Sequence, residues 1–383
     1  MSDAGEVLGK SGVVSTAASS VNAAEASAEA RLRLSVIVPA RNEEAVLGEC
    51  LRSLVEQSDV GFVLGVEWEL IVVDDDSTDG TRAIAREMER EGVVVIAAPK
   101  LDQSERGGFT GKTNACWAGA QCALSHGDGE WLLFTDADTV HEPGDLTRAL
   151  HEAKRYGAAL LSYSPRQIVT GFWQRAVMPL VFSELASVYP PKQVSDPASR
   201  LAAANGQFLL VEREAYFAVG GHRVVGQEIL EDVALARKIK RARHGIRFRY
   251  APDALAARMY HTLPEMVEGW TKNLALLFPS AVLMAAWRAL DLLLFFGLPA
   301  LALGLQASRL AWQPAVALLI WLLWLRTLWR FYERAARSNF PAGDVAISIL
   351  GVPMFCWLLL RSHLHHRVSK SVDWKGRRYK TGR

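Results

Sequence analysis

Short apolar runs alternate with amphipathic stretches from about residue 34 to residue 254 of the chain. The stretches at 42–57 and 78–92 place apolar residues at helical spacing, with polar residues on the other face. The runs are β-branched and nearly continuously apolar, as is typical of strands buried on both faces: SVIVP (35–39), ELIVVDDD (69–76), GVVVIAAP (92–99) and EWLLFTDAD (130–138). This alternation predicts an α/β domain with a mostly parallel sheet, covered by helices on both faces.

Polar clusters follow three of these strands at the point where each strand ends: PARNEE (39–44), DDDSTDGT (74–81) and DADT (136–139). In open α/β sheets, ligands bind at the carboxyl ends of the strands. We therefore expect the three clusters to share one binding site.

Three apolar segments in the last quarter of the chain are each close to the length that spans the hydrocarbon core of a bilayer: 289–306, 315–329 and 344–360. A soluble helical bundle is the alternative, but the segments are too continuously apolar and too closely spaced for one. The first thirty residues are rich in Ala, Ser, Glu and Gly and lack an apolar segment, which predicts a disordered leader and no secretory signal. The expected parts are a leader (1–32), an α/β domain (33–273), transmembrane or membrane-embedded helices (274–361) and a basic cytoplasmic tail (362–383).

The net charge of +2 and the 22% of charged residues carry no nucleic-acid signature. Basic residues are concentrated in the tail, where residues 361–383 hold eight Lys or Arg and one acid, Asp373. The loop 330–338 is also net basic, and basic loops stay on the cytoplasmic side of a membrane. An even number of crossings follows, so either the segment broken by Pro353 is re-entrant or residues 274–290 supply another embedded piece.

The segment GFWQRAVMPLVFSELASVYPP (171–191) is too interrupted to span a bilayer. Its aromatic and aliphatic residues suit a helix that lies in the membrane interface. A helix packed on the sheet in the ordinary way is an equal alternative.

Asp136 and Asp138 stand at the end of the fourth apolar run, one residue apart. On an extended backbone, residues i and i+2 point to the same side, so the two carboxylates would repel each other at reduced dielectric. A cation should therefore lie beside them. Carboxylate oxygens suit Mg²⁺ or Mn²⁺, and Mg²⁺ keeps waters and shares a substrate diphosphate.

The acids after the second run have two interpretations. Asp74 and Asp75 are placed to accept hydrogen bonds from a base or a ribose. Ser77 or Asp79 can cap the helix that follows. Capping accounts for the serine and the later aspartate, but it leaves three consecutive acids unexplained.

The cluster after the first run also permits a structural interpretation. Pro39 fixes the exit of the strand. Glu43 and Glu44 fall in the predicted first turn of a helix, where the dipole favours acids. Arg41 and Asn42 are then available to a ligand.

The three strand ends together resemble glycosyltransferase family 2, the nucleotide-sugar-dependent enzymes of the GT-A (Rossmann-like) fold. The resemblance runs through VIVPARNEE, VVDDDSTDGT, GFTGKTNA, FTDADT, NGQFLLVERE and EILEDVALARKIKRARHG, so it covers roughly residues 34–275. The apolar segments followed by VDWKGRRYK (372–380) are similar to membrane-anchored members that glycosylate lipids. Those members are the hopene-associated, carotenoid (diaponeurosporenoate) and ceramide glucosyltransferases.

This resemblance implies a UDP-sugar as donor and Mg²⁺ or Mn²⁺ as cofactor. It implies that Asp136 contacts the donor and that Asp138 holds the metal on the diphosphate. Lys112 would approach the donor, since a lysine among glycines is a reasonable phosphate partner; a solvated surface lysine is the alternative. The nucleotide pocket would be lined by Pro39, Arg41, Glu43, Asp74 and Asp75.

The resemblance also implies a catalytic carboxylate in the pair Glu231 and Asp232, with Asp232 as the base. An acceptor hydroxyl is a poor nucleophile, so a positioned carboxylate must take its proton during attack on the anomeric carbon. Both acids also suit the N-terminus of a helix, which is the structural alternative. That position lowers the pKa of a carboxyl group, so a strong base needs burial as compensation.

The sequence departs from the family in one respect. Many processive and ceramide-type members carry a Q/R-x-x-R-W motif after this helix, whereas residues 258–274 read RMYHTLPEMVEGWTKNL. Trp270 and Lys272 are candidates to replace it, with the lysine at a phosphate and the indole against the acceptor. Single transfer to a lipid hydroxyl is favoured over polymer synthesis.

These observations predict a multi-pass inner-membrane glycosyltransferase with its catalytic domain in the cytoplasm. It would move a sugar from a UDP-sugar, with inversion, to a lipid hydroxyl of the hopanoid, carotenoid, sphingolipid or glycerolipid type. One alternative is a metal-dependent sugar nucleotidyltransferase, although PARNEE lacks the glycine-rich loop that it needs. The other is a catalytically inactive membrane scaffold with the same fold.

Overall fold

The computed structural model describes residues 33–57, 59–101, 109–127, 129–307, 313–374 and 376–380. The predicted leader, residues 1–32, lies outside the described residues. So do Gly107 and Gly108, two of the glycines that precede Lys112.

A seven-stranded mixed sheet forms the centre of the α/β part of the chain (residues 33–257), with strand order β3-β2-β1-β4-β8-β6-β9. Strand β8 runs antiparallel to β4 and β6, whereas the other neighbouring strands are parallel. The predicted α/β class with a mostly parallel sheet is therefore confirmed. The strands are β1 (Leu34–Ala40), β2 (Trp68–Asp74), β3 (Val93–Ala97), β4 (Trp131–Phe134), β5 (Thr139–His141), β6 (Leu160–Ser164), β7 (Arg166–Gln167), β8 (Leu209–Glu212), β9 (Ile246–Tyr250), β10 (Leu255–Ala257), β11 (Ser371–Trp374) and β12 (Arg377–Lys380).

Helices connect the strands and then continue beyond the sheet. The α/β part contains α1 (Leu47–Val55), α2 (Thr81–Glu87), α3 (Gly111–His126), α4 (Asp145–Tyr156), α5 (Phe172–Val188), α6 (Pro191–Ser195), α7 (Arg213–Ala218) and α8 (Glu231–Arg241). They are followed by α9 (Leu263–Leu277), α10 (Ala281–Ala307), α11 (Gln313–Ala335) and α12 (Ala342–Leu364). The predicted domain boundary after residue 273 falls within α9, and the division into parts stays a prediction.

Alternate residues of the central strands pack on opposite faces of the sheet. On β1, Val36 and Val38 join the core beneath α1 and α4, while Ile37 joins the core beneath α3 and α8. The same alternation separates Val72 from Val73 on β2. Successive side chains of a strand point to opposite faces, so continuously apolar strands hold two helical layers.

Two local predictions are wrong in their geometry. Strand β4 ends at Phe134, so Asp136 and Asp138 lie in a turn and not on an extended backbone. The turn forms because the Thr139 hydroxyl donates to the Asp136 carbonyl over 2.7 Å. Helix α1 begins at Leu47, so Glu43 precedes it; the Glu43 carbonyl accepts from the Leu47 amide at 2.9 Å.

Three helices, α10, α11 and α12, are long and apolar enough to cross a membrane by length and composition. They differ in how much protein covers them. In the most apolar windows, 17% of α10 and 11% of α11 is buried, against 44% of α12. Helix α12 is covered because it packs along α5 and α9.

Helix α5 corresponds to the interrupted segment at 171–191. It packs against α12 and α9, in an apolar cluster that includes Val181, Phe182 and Phe355. The alternative of a helix packed on the sheet is therefore wrong, because the helix faces the apolar C-terminal helices. Helix α5 therefore connects the α/β part with the apolar C-terminal helices.

Candidate active site

A cavity of about 730 Å³ opens at the carboxyl ends of β1, β2 and β4. Strand ends and the first turns of α3 and α8 surround it, as expected for an open α/β sheet. Nine of the residues predicted for the site line this one cavity: Pro39, Arg41, Glu43, Asp75, Lys112, Asp136, Asp138, Glu231 and Asp232.

Asp74 is the exception among the predicted nucleotide-binding residues, since it does not line the cavity. Its carboxylate is buried and accepts from Arg82 Nε at 2.8 Å and from the Ser77 amide at 3.2 Å. These bonds fix the loop between β2 and α2. The geometry gives Asp74 a structural role and offers no support for direct contact with a nucleotide.

Lys112 lies at the centre of the cavity. Its ammonium contacts Asp136 Oδ1 at 2.7 Å and Glu231 Oε1 at 3.1 Å. Burial alone would lower the pKa of Lys112, but these two carboxylates hold that pKa well above its usual value. The cation expected beside the acids is therefore present as a lysine from the first turn of α3. Thr110 caps that helix by accepting from the Thr113 amide at 3.2 Å.

Asp232 and Glu231 begin α8, and their environments move their pKa values in opposite directions. Burial, followed by the charge of Glu231, raises the pKa of Asp232 to about 6. Burial would also raise the pKa of Glu231, but Lys112 and then Lys272 bring it below its usual value. A pair of carboxyl groups separated in this way suits one ionised partner and one base near neutral pH.

Backbone amides orient Asp232. Its Oδ2 accepts from the Gly206 amide at 2.8 Å, and its Oδ1 accepts from the Val233 amide at 2.7 Å. Each carboxylate oxygen has two lone pairs, so both oxygens keep one for a proton. Gly206 was not predicted as a site residue. The sequence NGQ (205–207) before β8 contains a turn that brings this backbone donor to the site.

The donor set at the end of β4 fits a hard divalent cation. Asp136 and Asp138 both line the cavity with carboxylate oxygens, the ligands that Mg²⁺ and Mn²⁺ prefer. Across the described ranges, no group of three or more His, Cys, Asp or Glu side chains could enclose an ion. Two carboxylates therefore suit an ion that completes its coordination with water and a substrate diphosphate.

Helices α5 and α9 bring apolar side chains to the cavity, namely Phe182, Leu185, Trp270 and Leu277. Helix α9 also contributes polar lining residues: Glu265, Glu268, Lys272 and Asn273. Trp270 is only 2% exposed and donates from its indole to the Met178 sulfur at 3.3 Å, so most of its ring packs within the protein. The proposed roles of Trp270 and Lys272 stay predictions.

A further arginine reaches the site from the tail. Arg377 of β12 donates to the Asp75 carboxylate, and Arg41 donates to the Asp75 carbonyl at 2.6 Å. Burial raises the pKa of Asp75, and Arg377 and Arg41 oppose this rise. The sequence predicted a basic cytoplasmic tail here and no partner for Arg377.

Comparison with known proteins agrees with this geometry. A family model described as Glycosyl transferase family 2 matches residues 35–209. A 4,4'-diaponeurosporenoate glycosyltransferase from Staphylococcus haemolyticus is 27% identical over 360 residues, covering 90% of this chain and 88% of that protein. A Staphylococcus aureus protein of the same name is 27% identical over 351 residues, with the same coverage. A solved mannosyltransferase from Pyrobaculum calidifontis, in complex with GDP-Man and Mn²⁺, is 18% identical with a TM-score of 0.49, covering 89% of this chain and 88% of that one.

The family match begins one residue into β1 and ends at the first residue of β8, so it includes the strand ends that carry the polar clusters. The resemblance inferred from those clusters is confirmed, and the matches favour glycosyl transfer over nucleotidyl transfer. The chain is thus identified as a glycosyltransferase with the mostly parallel sheet of the GT-A fold, and its residues 35–209 match the model of glycosyltransferase family 2.

Proposed function

We propose that this protein transfers a sugar from a UDP-sugar, with inversion, to a hydroxyl group of a membrane lipid. The observation that carries the proposal is the single cavity that joins acidic strand ends to the apolar side chains of α5 and α9. A polar diphosphate and an apolar lipid must meet at one carbon atom, so a cavity of mixed character suits both. The relatives named for 4,4'-diaponeurosporenoate are in keeping with a lipid acceptor.

The donor would occupy the end of the cavity formed by the loops after β1 and β2. Arg41 and Asp75 would bind the nucleoside, between Pro39 and Glu43, and Lys112 would approach the diphosphate. Lys112 can supply a positive charge to phosphate oxygens as it exchanges its present partners, Asp136 and Glu231. Lys112 thus allows an anionic diphosphate to bind at the donor end although acids line it.

Asp232 is the base in the proposed reaction. The acceptor oxygen forms a bond to the anomeric carbon, the bond from that carbon to the diphosphate oxygen breaks, and the acceptor proton moves to Asp232. The products are the glycosylated lipid and the nucleoside diphosphate. One carboxylate acts and no covalent enzyme intermediate forms, so the configuration at the anomeric carbon inverts. A pKa of about 6 keeps Asp232 ionised yet basic near neutral pH.

Asp138 and Asp136 would hold Mg²⁺ or Mn²⁺. The ion supplies electrostatic stabilisation to the departing diphosphate. Asp136 contacts Lys112 directly, so the lysine keeps that carboxylate oriented toward the cavity. Glu231 contacts the same lysine, so in this proposal both acids keep Lys112 near the diphosphate until the donor binds.

The acceptor would enter at the end of the cavity beside α5 and α9. Its hydroxyl would lie near Asp232, and its apolar body would lie along Phe182 and Leu185 of α5 and Leu277 of α9. Because α5 packs against α12 and α9, this end of the cavity faces the apolar helices. A lipid could then reach the base without passing through water.

In this proposal α10 and α11 cross the inner membrane, and α12 does not. Near the start of α12, Asp344 pairs with Arg175 of α5 at 2.6 Å. Near its end, the Ser362 hydroxyl accepts from the Ala275 amide of α9 at 2.9 Å. Both ends of α12 thus contact helices that line the cavity, α5 and α9. Two crossings keep the catalytic domain and the basic tail together in the cytoplasm, as the positive-inside rule favours.

The deciding experiment incubates membranes that contain the protein with labelled UDP-sugars and, for comparison, labelled GDP-sugars. We expect label from a UDP-sugar in the lipid extract, with an inverted anomeric linkage. Asp232→Asn should reduce this transfer by about 10²- to 10⁴-fold, the range for loss of a general base.

The matched control is Glu214→Gln, which neutralises an exposed acid of α7 outside the cavity. It should transfer label at the wild-type rate. Label that reaches lipid only from GDP-sugars would exclude the proposed donor. Full activity of Asp232→Asn would exclude the proposed base.

A further inference from the structure

The tail forms a β-hairpin that returns to the α/β part. Strands β11 and β12 pair antiparallel, with Ser371 opposite Lys380 and Trp374 opposite Arg377. The hairpin follows α12 and packs beside α9, a helix that lines the cavity. It brings Arg377 to Asp75, a residue 302 positions earlier in the chain.

Two arginines hold Asp75 from different segments. The Arg377 guanidinium donates from Nη1 to the Asp75 carboxylate and from Nη2 to the Asp75 carbonyl, the latter at 3.5 Å. Arg41 Nη1 donates to the carbonyls of Asp75 at 2.6 Å and Asp76 at 2.9 Å. Asp75 is only 5% exposed and Arg377 19%, so this ion pair is largely withdrawn from water.

The first residue of α3 leaves room for this ion pair. A Cβ atom at Gly111 would collide with both the Arg377 guanidinium and the Asp75 carboxylate. The glycine lets the start of α3 approach the pair closely. Three separate segments, the β2–α2 loop, the start of α3 and the hairpin, therefore meet at one carboxylate.

Several acids at the donor end of the cavity carry negative charge, which a nearby arginine can offset. Asp75, Asp79, Glu43 and Glu44 all line this end, and a nucleoside diphosphate is itself an anion. Arg377 offsets one of these charges without occupying the cavity, because it is not among the residues that line it. An ionised carboxylate held on one side can still accept hydrogen bonds on the other.

We propose that Arg377 is a positioning residue of the donor site, which holds the Asp75 carboxylate in place for the nucleoside from the C-terminal hairpin. This inference rests on the function proposed above, in which Asp75 binds the nucleoside. Arg377 acts through Asp75 and does not touch the reacting atoms. The alternative is an inhibitory hairpin that blocks Asp75. Loss of Arg377 would then increase donor affinity, whereas loss of a positioning residue would decrease it, so the same variants distinguish the two roles.

The test uses the full-length protein in detergent, with nucleotide binding measured for UDP, GDP, ADP and TDP and transfer measured with the matching sugar. Arg377→Gln should weaken binding and raise the donor KM about tenfold, while kcat changes less than twofold. Arg377→Lys should recover part of the loss, because it keeps the charge but loses the paired donors. In an Asp75→Asn background, Arg377→Gln should change the KM less than twofold, since its partner is absent.

Arg367→Gln is the matched control, because it removes an exposed positive charge from the same tail. It should leave binding and transfer unchanged. An unchanged or lower KM in Arg377→Gln would overturn the inference, and so would an equal loss in the Asp75→Asn background. Binding of GDP, ADP or TDP in place of UDP overturns only the proposed donor, because the variants are then compared with that nucleotide. A wild-type protein that binds none of the four overturns both proposals.

Discussion

Asp232 experiences two opposing effects at the start of α8. The N-terminus of a helix favours the ionised form of a carboxyl group. Burial and the adjacent charge of Glu231 favour the protonated form and raise the pKa of Asp232 to about 6. The second effect prevails, so the residue suits proton transfer near neutral pH.

The pH dependence of transfer follows from this value. Asp232 must be deprotonated to act as a base, so kcat/KM should be constant above pH about 7 and fall tenfold per pH unit below pH about 6. The measurement is the rate of labelled-lipid formation between pH 5 and pH 8 at low donor concentration. An acid limb near pH 4 would contradict a buried base.

Glu231→Gln tests the cause of the raised pKa. The substitution removes the negative charge beside Asp232 and frees Lys112 from one of its two partners. Both changes favour ionised Asp232, so the acid limb should move to lower pH. A limb that moves to higher pH would show that Glu231 does not raise the pKa of Asp232.

At the scale of elements, apolar composition was sufficient to predict strands β1 to β4. Val36, Ile37 and Val38 are buried on both faces of the sheet, so their run is continuously apolar. The positions of the strand ends, and with them most of the site, could be predicted for the same reason. The turn after Phe134 could not, because it depends on the Thr139 hydroxyl, whose bond to Asp136 competes with continued strand pairing.

The partners of individual charged side chains in distant elements were not predicted. The pair of Arg377 and Asp75 depends on the path of three long helices, which no local pattern specifies. The separation of Asp74 from the cavity depends on Arg82, a residue of α2 that the sequence presents as one more exposed arginine. Local patterns thus predicted the elements and the chemistry, whereas the partners of individual charges emerged from packing.

A buried ion network connects α5 with α10 and α11. Arg288 contacts Asp291 at 2.7 Å and Glu184 at 3.4 Å, and Arg334 contacts Asp291 at 3.3 Å. Loss of one member leaves an acid without compensation in a poorly hydrated site. The network therefore fixes the apolar helices against the α/β part.

Arg288→Gln should destabilise the folded protein by about 3 kcal/mol, the scale for breaking a buried ion pair. Thermal inactivation of the detergent-solubilised protein, measured as residual transfer, should occur several degrees lower. The double variant with Glu184→Gln should recover much of the loss, because charges of both signs are removed together. A single variant as stable as the wild type would show that the network does not hold the helices together.

At the scale of the whole molecule, the segments that follow α11 pack back against the helices and loops around the cavity. The residues after α11 contact α5, both ends of α12 contact α5 or α9, and the hairpin contacts Asp75. In the proposed arrangement, these contacts keep the tail and the catalytic domain on one side of the membrane. They leave α10 and α11 as the pair of proposed crossings.

Cysteine labelling tests this arrangement. In a variant with Cys122 and Cys356 changed to Ala, Gln306→Cys at the end of α10 should react with an impermeant maleimide from the periplasmic side. Ser369→Cys, exposed near the hairpin, should react only from the cytoplasmic side. Labelling of both from one side would contradict two crossings.

The return of the hairpin also has a consequence for the timing of synthesis. Asp75 leaves the ribosome early, whereas its partner Arg377 is translated only after α10, α11 and α12. A nascent chain that has folded its sheet but has not yet inserted α10 and α11 would still lack Arg377 beside Asp75. Donor affinity would then mature together with membrane integration, which would limit premature consumption of nucleotide sugar by chains that cannot yet reach a lipid.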